Sequence, residues 1–327
     1  MKPVLYLLLA ALVPVSVDES LVETVVSIAL VVILLDGGRG MGLARFRSEA
    51  VGILGLGLLG TFATVAAGAV AAHLVLGLSW YLSTLLATAL APTDPAVVFS
   101  VLGSVEGRSA TVLEGESGAN DPVGIALMVA LIDAGSLSGQ AIGDAAIAFA
   151  LQLAVGAAVG VAGGLLMRRL PRILSLPVAF ALFGLAYLGH GSGFLAVFVA
   201  GIVLGGDQMH VLIGSLGEAL AFLSLGLLVD LSAVGDAWLE GLLLFGLLAF
   251  VVRPLFCWPL LLPTRLSGAE QRFVLLSGLK GAVPLLLGAM LLDVEDGHRL
   301  YAVTTVVVVL SVVVQGAMVP RLARRAG

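Results

Sequence analysis

Charge is what this sequence has least of. Of its 327 residues, 11% are Asp, Glu, Lys or Arg, where a soluble domain carries roughly 25%. A water-soluble fold could not cover the 60% of residues that are hydrophobic. Cysteine is nearly absent too. Cys257 stands alone, which excludes an intrachain disulfide and argues against a cysteine-held metal. The formal net charge of −5 says little, because the position of each charge matters more than the sum, and no nucleic acid is expected as a partner. A GxxxxGK[ST] phosphate loop is also missing, so nothing suggests a step driven by ATP.

What remains is apolar sequence rich in glycine, with 42 glycines and a mean hydropathy of +1.16. Both fit membrane helices that pack closely. The N-terminal MKPVLYLLLAALVPVSV resembles a signal peptide, but the rest of the chain is equally apolar, so it reads as a first span. Breaks at charged or Gly/Pro-rich points predict about twelve spans. They lie near 4–17, 21–36, 51–77, 80–104, 112–133, 143–167, 174–190, 193–206, 211–230, 237–262, 271–292 and 300–320. The fold class is therefore all-α and polytopic, one transmembrane unit over 1–327 with no soluble domain.

Charge position supports this count. If the N-terminus lies inside, the inner segments hold Lys2, Arg39, Arg45, Arg47, Arg108, Arg168, Arg169, Arg172, Arg265, Arg272, Arg321, Arg324 and Arg325. These are 13 of the 16 basic residues. The outer segments hold Arg299 alone. This positive-inside bias predicts a multi-pass protein of the cell membrane with both termini in the cytoplasm. Trp80 and Trp238 begin spans at one face, and Trp258 lies near the end of a span at the other, as interfacial anchors do.

Four charges fall at the wrong depth for loops. Asp94 lies in the middle of span 4, Asp121 about ten residues into span 5, Arg253 in the middle of span 10, and Lys280 a third of the way into span 11. Each costs at least ~2.5–3.5 kcal/mol at mid-membrane, which makes each a functional candidate. Mutual ion pairing is the plain alternative. In ALAPTDPAVVFSVL, Pro92 and Pro95 should break span 4 around Thr93 and Asp94. In SGLKGAVPLLL, Gly278, Gly281 and Pro284 should break span 11 beside Lys280. Broken backbone at this depth must be buried in protein or line a wet cavity. Two interrupted spans in matching halves point to a transporter site. Spans 4 and 11 are an odd number of spans apart, so the repeats relating them, near 51–133 and 237–320, must be inverted.

Span 5 opens LEGESGANDPVGIAL. At 100° per residue, Glu114, Ser117 and Asp121 share one side, and Glu116 with Asn120 widens it to a polar stripe. Its oxygens suit a hard alkali cation. The glutamates could instead serve a helix N-terminus, but Asp121 is two turns deeper.

At these residues the chain resembles the monovalent cation:proton antiporters, in the branch of the sodium/hydrogen exchangers and the prokaryotic Na⁺ or K⁺/proton antiporters. The resemblance rests on LLDGG at 34–38, APTDPAVVFSVL at 91–102, LEGESGAND at 113–121, VVRP at 251–254 and GLKGAVPL at 278–285, in the family's order over nearly the whole chain. It implies an inverted-repeat fold with two crossed broken helices, usually homodimeric, and no cofactor beyond the transported ions. By the resemblance, Asp121 takes cation and proton in turn, with Asn120 beside it. Thr93, Asp94, Glu116 and Ser117 form or support the Na⁺ or K⁺ site, Arg253 compensates acidic groups, and Asp36 helps to organise the core. Lys280 stands where arginine is more usual, and Gly118 and Ala119 replace bulkier residues. The extra N-terminal span and the cytoplasmic regulatory domains of many members are not in this sequence.

The chemistry expected is competition. A carboxylate half out of water holds a proton or a metal ion but not both, and if only the loaded site crosses, exchange is obligatory. Arg253 should meet Glu116, with Glu114 or Asp36 as the other candidates, and Lys280 or a positive helix end should offset Asp94. Asn120 cannot ionise, so one-for-one electroneutral exchange is expected. A passive cation channel is the nearest rival. An intramembrane protease, suggested by Glu116-Ser117-Gly118 and by GGD at 205–207, finds no histidine opposite Ser117, because His73, His190, His210 and His298 map near span ends.

Overall fold

The computed structural model describes residues 2–13, 15, 17–94, 107–206 and 211–326, apart from the side chains of 211–213 and 324–326. The described residues form helices joined by turns and short loops, with no strand among them. Helix stands in each of the twelve apolar segments. In chain order the helices are α1 (Lys2–Ala11), α2 (Glu19–Ser48), α3 (Ala50–Leu76), α4 (Trp80–Ala89), α5 (Arg108–Ala134), α6 (Gly139–Met167) and α7 (Ser175–Leu188). They continue as α8 (Gly193–Leu204), α9 (Val211–Gly226), the short α10 (Leu231–Asp236), α11 (Trp238–Leu261), α12 (Gly268–Leu276), α13 (Ala282–Ala289) and α14 (Gly297–Ala323). By length and apolarity α2, α3, α6, α11 and α14 could each cross a membrane unaided. Pro95 and the second half of span 4 lie outside the described residues, as do Asp207 and His210.

Local chemistry sets the ends. Hydroxyls of Ser79, Ser138 and Ser192 accept from backbone N–H groups in the first turns of α4, α6 and α8, and Ser267 with Glu270 forms a capping box on α12. Asp18 and Asp230 cap α2 and α10. The Ser20 and Ser232 hydroxyls beside them hold these loop carboxyls below the usual range.

Two sets of helices pack among themselves. One comprises α1, α2 and α6–α9, and the other α3–α5 and α11–α14. In the first set, Gly156, Gly160 and Gly164 of α6 lie against the backbone of Ser192, Ala196 and Ala200. Side chains any larger would hold α6 and α8 apart.

One expectation needs correcting. Span 2 was expected to end near residue 36, but α2 runs on to Ser48 and kinks at Gly42. Gly38 meets the backbone of Phe198 and Gly201 on α8. That contact carries the helix past Asp36 and buries Arg39, which reads from the sequence as a loop residue.

Candidate ion-binding site

Both expected breaks are present, and they touch. Helix α4 stops at Ala89, and Thr93 and Asp94 follow in non-helical backbone. Between α12 and α13, Ser277–Gly281 form the second break. The Asp94 N–H donates to Leu279 O at 2.7 Å. In return the Lys280 ammonium donates to Ala91 O at 3.0 Å and Pro92 O at 3.1 Å. Lys280 therefore stands at the carbonyl end of α4, where the helix dipole is negative. Of the two partners expected to offset Asp94, Lys280 or a positive helix end, the second lies directly against it. The Asp94 carboxylate lies on Gly281 at the start of α13, and a Cβ there would overlap it.

Three helices around the breaks contain a π-turn each: Gly55–Gly60 in α3, Leu248–Val252 in α11 and Ser311–Gln315 in α14. Such turns often mark functional positions. The third supplies partners that sequence reasoning missed. The Lys280 N–H donates to Ser311 Oγ at 3.0 Å, Ser311 donates to Gln315 Oε1 at 2.6 Å, and Gln315 donates to Leu276 O at 3.2 Å. Two polar residues four apart in an otherwise Val-rich span were the available signal.

The polar residues of α5 divide their work. Glu116 takes Arg253 in a two-pronged pair, with Oε1 2.7 Å from Nη1 and Oε2 2.9 Å from Nη2. Arg253 also donates from Nε to Leu275 O at 2.9 Å and from Nη2 to Val274 O at 3.3 Å. The guanidinium thus ties α11, α5 and the end of α12 together, a geometry that lysine could not copy. Exposure is 5% for Arg253 and 1% for Glu116, so neither is compensated by water. Gly278 admits the guanidinium, since a Cβ there would overlap it.

Asn120 clasps the first break. Its Nδ2 donates to Thr93 Oγ1 at 2.9 Å, and the Thr93 N–H points to its Oδ1 at 3.4 Å. Glu114 pairs with Arg45 at 2.8 Å rather than with Arg253. Arg45, on α2, also donates to Thr111 Oγ1 at 3.2 Å. Here, at the arginine-rich face, a cavity of about 1080 Å³ opens among Arg45, Arg47, Arg108, Arg265, Glu49 and Glu114. Asp36 is buried on α2 and faces Gly214 of α9.

Asp121 differs from the rest. Its Oδ1 is buried and has no hydrogen-bond partner. Ser117, one turn back, is beside it, and Asp94 and Lys280 are the charges it feels. Pro122 has no N–H to offer the Gly118 carbonyl, so another oxygen is left free of helical bonding nearby. The small residues before the pair also have a structural reason, because Gly118 lies against the Phe198 ring and Ala119 against Gly57.

The Gly281 contact gives one expected result. Gly281→Ala should push Asp94 from the crossing, costing about 1–3 kcal/mol of stability as overpacked sites do and slowing ion exchange sharply. A melt in detergent and a vesicle flux assay check this. Unchanged values in both would mean that the breaks do not meet in the working protein.

Comparison with known proteins places this geometry. The K(+)/H(+) antiporter NhaP of Alkalimonas amylolytica is 35% identical over 91% of this chain and 56% of its own length. The K(+)/H(+) antiporter NhaP2 of Shewanella oneidensis is 33% identical over 94% of this chain and 58% of its own. The chain therefore spans little more than half the length of these relatives. The Na(+)/H(+) antiporter NhaH of Halobacillus dabanensis is 26% identical over 95% of this chain and 85% of its own. The sodium proton antiporter MjNhaP1 of Methanocaldococcus jannaschii has the same fold, with a TM-score of 0.78 at 20% identity over 91% of this chain and 86% of that one. The profile of the family described as "Sodium/hydrogen exchanger, transmembrane" matches residues 2–325. By that match along nearly its whole length, the chain belongs to the transmembrane sodium/hydrogen exchanger family.

Proposed function

We propose that this chain exchanges a monovalent cation, K⁺ ahead of Na⁺, for a proton across the cell membrane, with its arginine-rich face in the cytoplasm. The observation that carries the reading is the Asp121 carboxylate, with a buried oxygen that no protein group satisfies, beside the crossing of two broken helices. An ionised oxygen at such a depth calls for a proton or a cation. Asp121 takes each in turn, and Ser117, Thr93 and Asp94 offer further oxygens to the cation. Glu116 and Asn120 act one step back: Glu116 holds Arg253, and Asn120 holds Thr93 in place. K⁺ is put first because the K(+)/H(+) relatives are more similar to this chain than the Na(+)/H(+) relative is.

The moving unit in this reading contains the inverted repeats near 51–133 and 237–320, and rocks against a scaffold formed by the remaining helices. The chain is one transmembrane unit that works as a homodimer. It carries out transport rather than catalysis and needs no cofactor.

Exchange is one-for-one and electroneutral. Asn120 cannot ionise, which removes one proton carrier from α5, and Asp94 stays charged at the start of α13. Proteoliposomes with fixed ion gradients test the whole reading. Dequenching of a pH dye should follow K⁺ and Na⁺ and be indifferent to a clamped membrane potential of either sign. Flux that needs no counter-gradient would make the chain a channel, and a current that reverses away from the one-for-one point would overturn electroneutrality.

A further inference from the structure

The cavity at the arginine-rich face has an unexpected lining for the entrance of a cation. Among the described residues it presents Arg45, Arg47, Arg108 and Arg265 against Glu49 and Glu114. Such a field does not draw a cation in, so entry needs particular oxygens. Glu114 is placed to supply them, because it continues the line to the buried site. At 100° per residue Glu114, Ser117 and Asp121 lie within about 60° of one another, and Asp121 is about 10 Å further along α5. Glu114 and Asp121 keep part of their surface open, whereas Glu116, Ser117 and Asn120 between them are buried.

Arg45 covers the outer end of this line. Its Nη2 is 2.8 Å from Glu114 Oε2 and donates to Thr111 Oγ1 at 3.2 Å. Thr111, about one turn before Glu114, also lines the cavity. Its hydroxyl donates to Gly107 O at 3.1 Å, so its oxygen meets Arg45 as an acceptor. The guanidinium thus holds one carboxylate and one hydroxyl oxygen, the ligand types that a hard monovalent cation takes. It comes from the other set of helices. Helix α2 carries it, and its Nη1 donates to Gly40 O at 3.0 Å across the kink at Gly42. A pair that merely joined α2 to α5 could stand anywhere along their contact. This one occupies oxygens in line with Asp121.

We propose that Glu114 and Thr111 form an entry site for the monovalent cation and that Arg45 is its gate, a tethered positive charge that the arriving cation replaces. This rests on the exchange reading above. Arg45 belongs to the scaffold and the two ligands to the moving unit, so rocking draws the gate from the site and frees both oxygens.

The test uses the whole chain in membrane vesicles, with K⁺ offered to the cytoplasmic face in everted vesicles and to the other face in right-side-out ones. Glu114→Gln should raise the cytoplasmic KM for K⁺ about fivefold, and Arg45→Gln should lower it by a similar factor, as a half-open ion pair allows. In both, kcat and the KM at the other face should move less. The double variant Arg45→Gln/Glu114→Gln should match Glu114→Gln alone, since a gate without its site covers nothing. Arg47→Gln removes a charge from the same cavity and should leave the KM near that of the parent. Parental KM in the single variants, equal shifts at both faces, or a lowering by Arg45→Gln that persists in the double variant would overturn the proposal. A fall in Arg47→Gln as large as in Arg45→Gln would overturn it too, by making the effect one of general charge. If either single variant fails to insert, the cytoplasmic KM of the other decides alone. Absence of exchange in the parent would instead overturn the antiporter reading itself, so the two failures are told apart by which protein fails.

Discussion

Asp121→Asn will abolish cation-driven proton flux in proteoliposomes while leaving insertion and melting like those of the parent. Asparagine has nearly the same volume and keeps a carbonyl oxygen, so packing around α5 should not change. It cannot take up a proton, and it offers a cation a dipole where the parent offers a charge. The parent carboxylate also lies near Asp94 with one buried oxygen unsatisfied. Removing that charge relieves a cost, so the melting temperature should hold or rise. Flux and stability should therefore move apart, which a purely structural residue would not allow. Parental flux in a folded Asp121→Asn protein would remove Asp121 from the mechanism and with it the reading built on that residue.

Arg253→Ala should give the opposite pattern, with stability lost first. The guanidinium makes two bonds to Glu116 and two to the carbonyls of Val274 and Leu275. Alanine would leave Glu116 ionised, buried and alone, and would strip two carbonyls at the end of α12. Breaking one side of a buried pair costs about 3–5 kcal/mol. Arg253→Lys should recover only part of this, since an ammonium cannot grip both oxygens in a plane. Replacing both members, Arg253→Met with Glu116→Leu, should melt closer to the parent than Arg253→Ala does, because no charge is then stranded. Thermal melting in detergent separates the variants. An Arg253→Ala protein that melts like the parent would mean the pair contributes nothing to the fold.

Much of the architecture was legible because a bilayer leaves little choice. Apolar segments of sufficient length become helices, and the arginines gather at one face. The breaks were legible because Pro92, Gly278 and Gly281 act locally. The meeting of Arg253 and Glu116 followed from the depth of Arg253, since an arginine at mid-membrane needs a carboxylate. Partner assignments along the polar stripe were not legible in the same way. Glu114 and Glu116 are two residues apart, yet one meets Arg45 and the other Arg253. Which arginine each meets depends on which helices flank α5, and one chain's spacing does not contain that. Asn120 was legible as a polar neighbour of Asp121, but the bond from its amide to Thr93 across the first break was not. Ser311 and Gln315 escaped notice because each is polar alone, and the partners that give them meaning come from distant helices. The length of α2 was misread because a run of glycines and arginines is a loop signal in isolation. Contact with α8 turns the same run into helix.

The π-turn before Arg253 has a consequence for how this span tolerates insertions and deletions. A π-turn is an α-helix that has absorbed one extra residue. Deleting a single residue from Leu248–Val252 would therefore leave a regular, equally apolar helix, and no hydropathy measure would register a defect. Every side chain beyond it, however, would swing by about 100° relative to those before it. Arg253 would then leave Glu116 and turn toward the sides on which α11 is exposed, at Phe250, Val251 and Leu255. The reading frame of this helix is thus fixed at single-residue resolution by one ion pair, although its sequence of leucines and valines could be shuffled with little effect on membrane insertion.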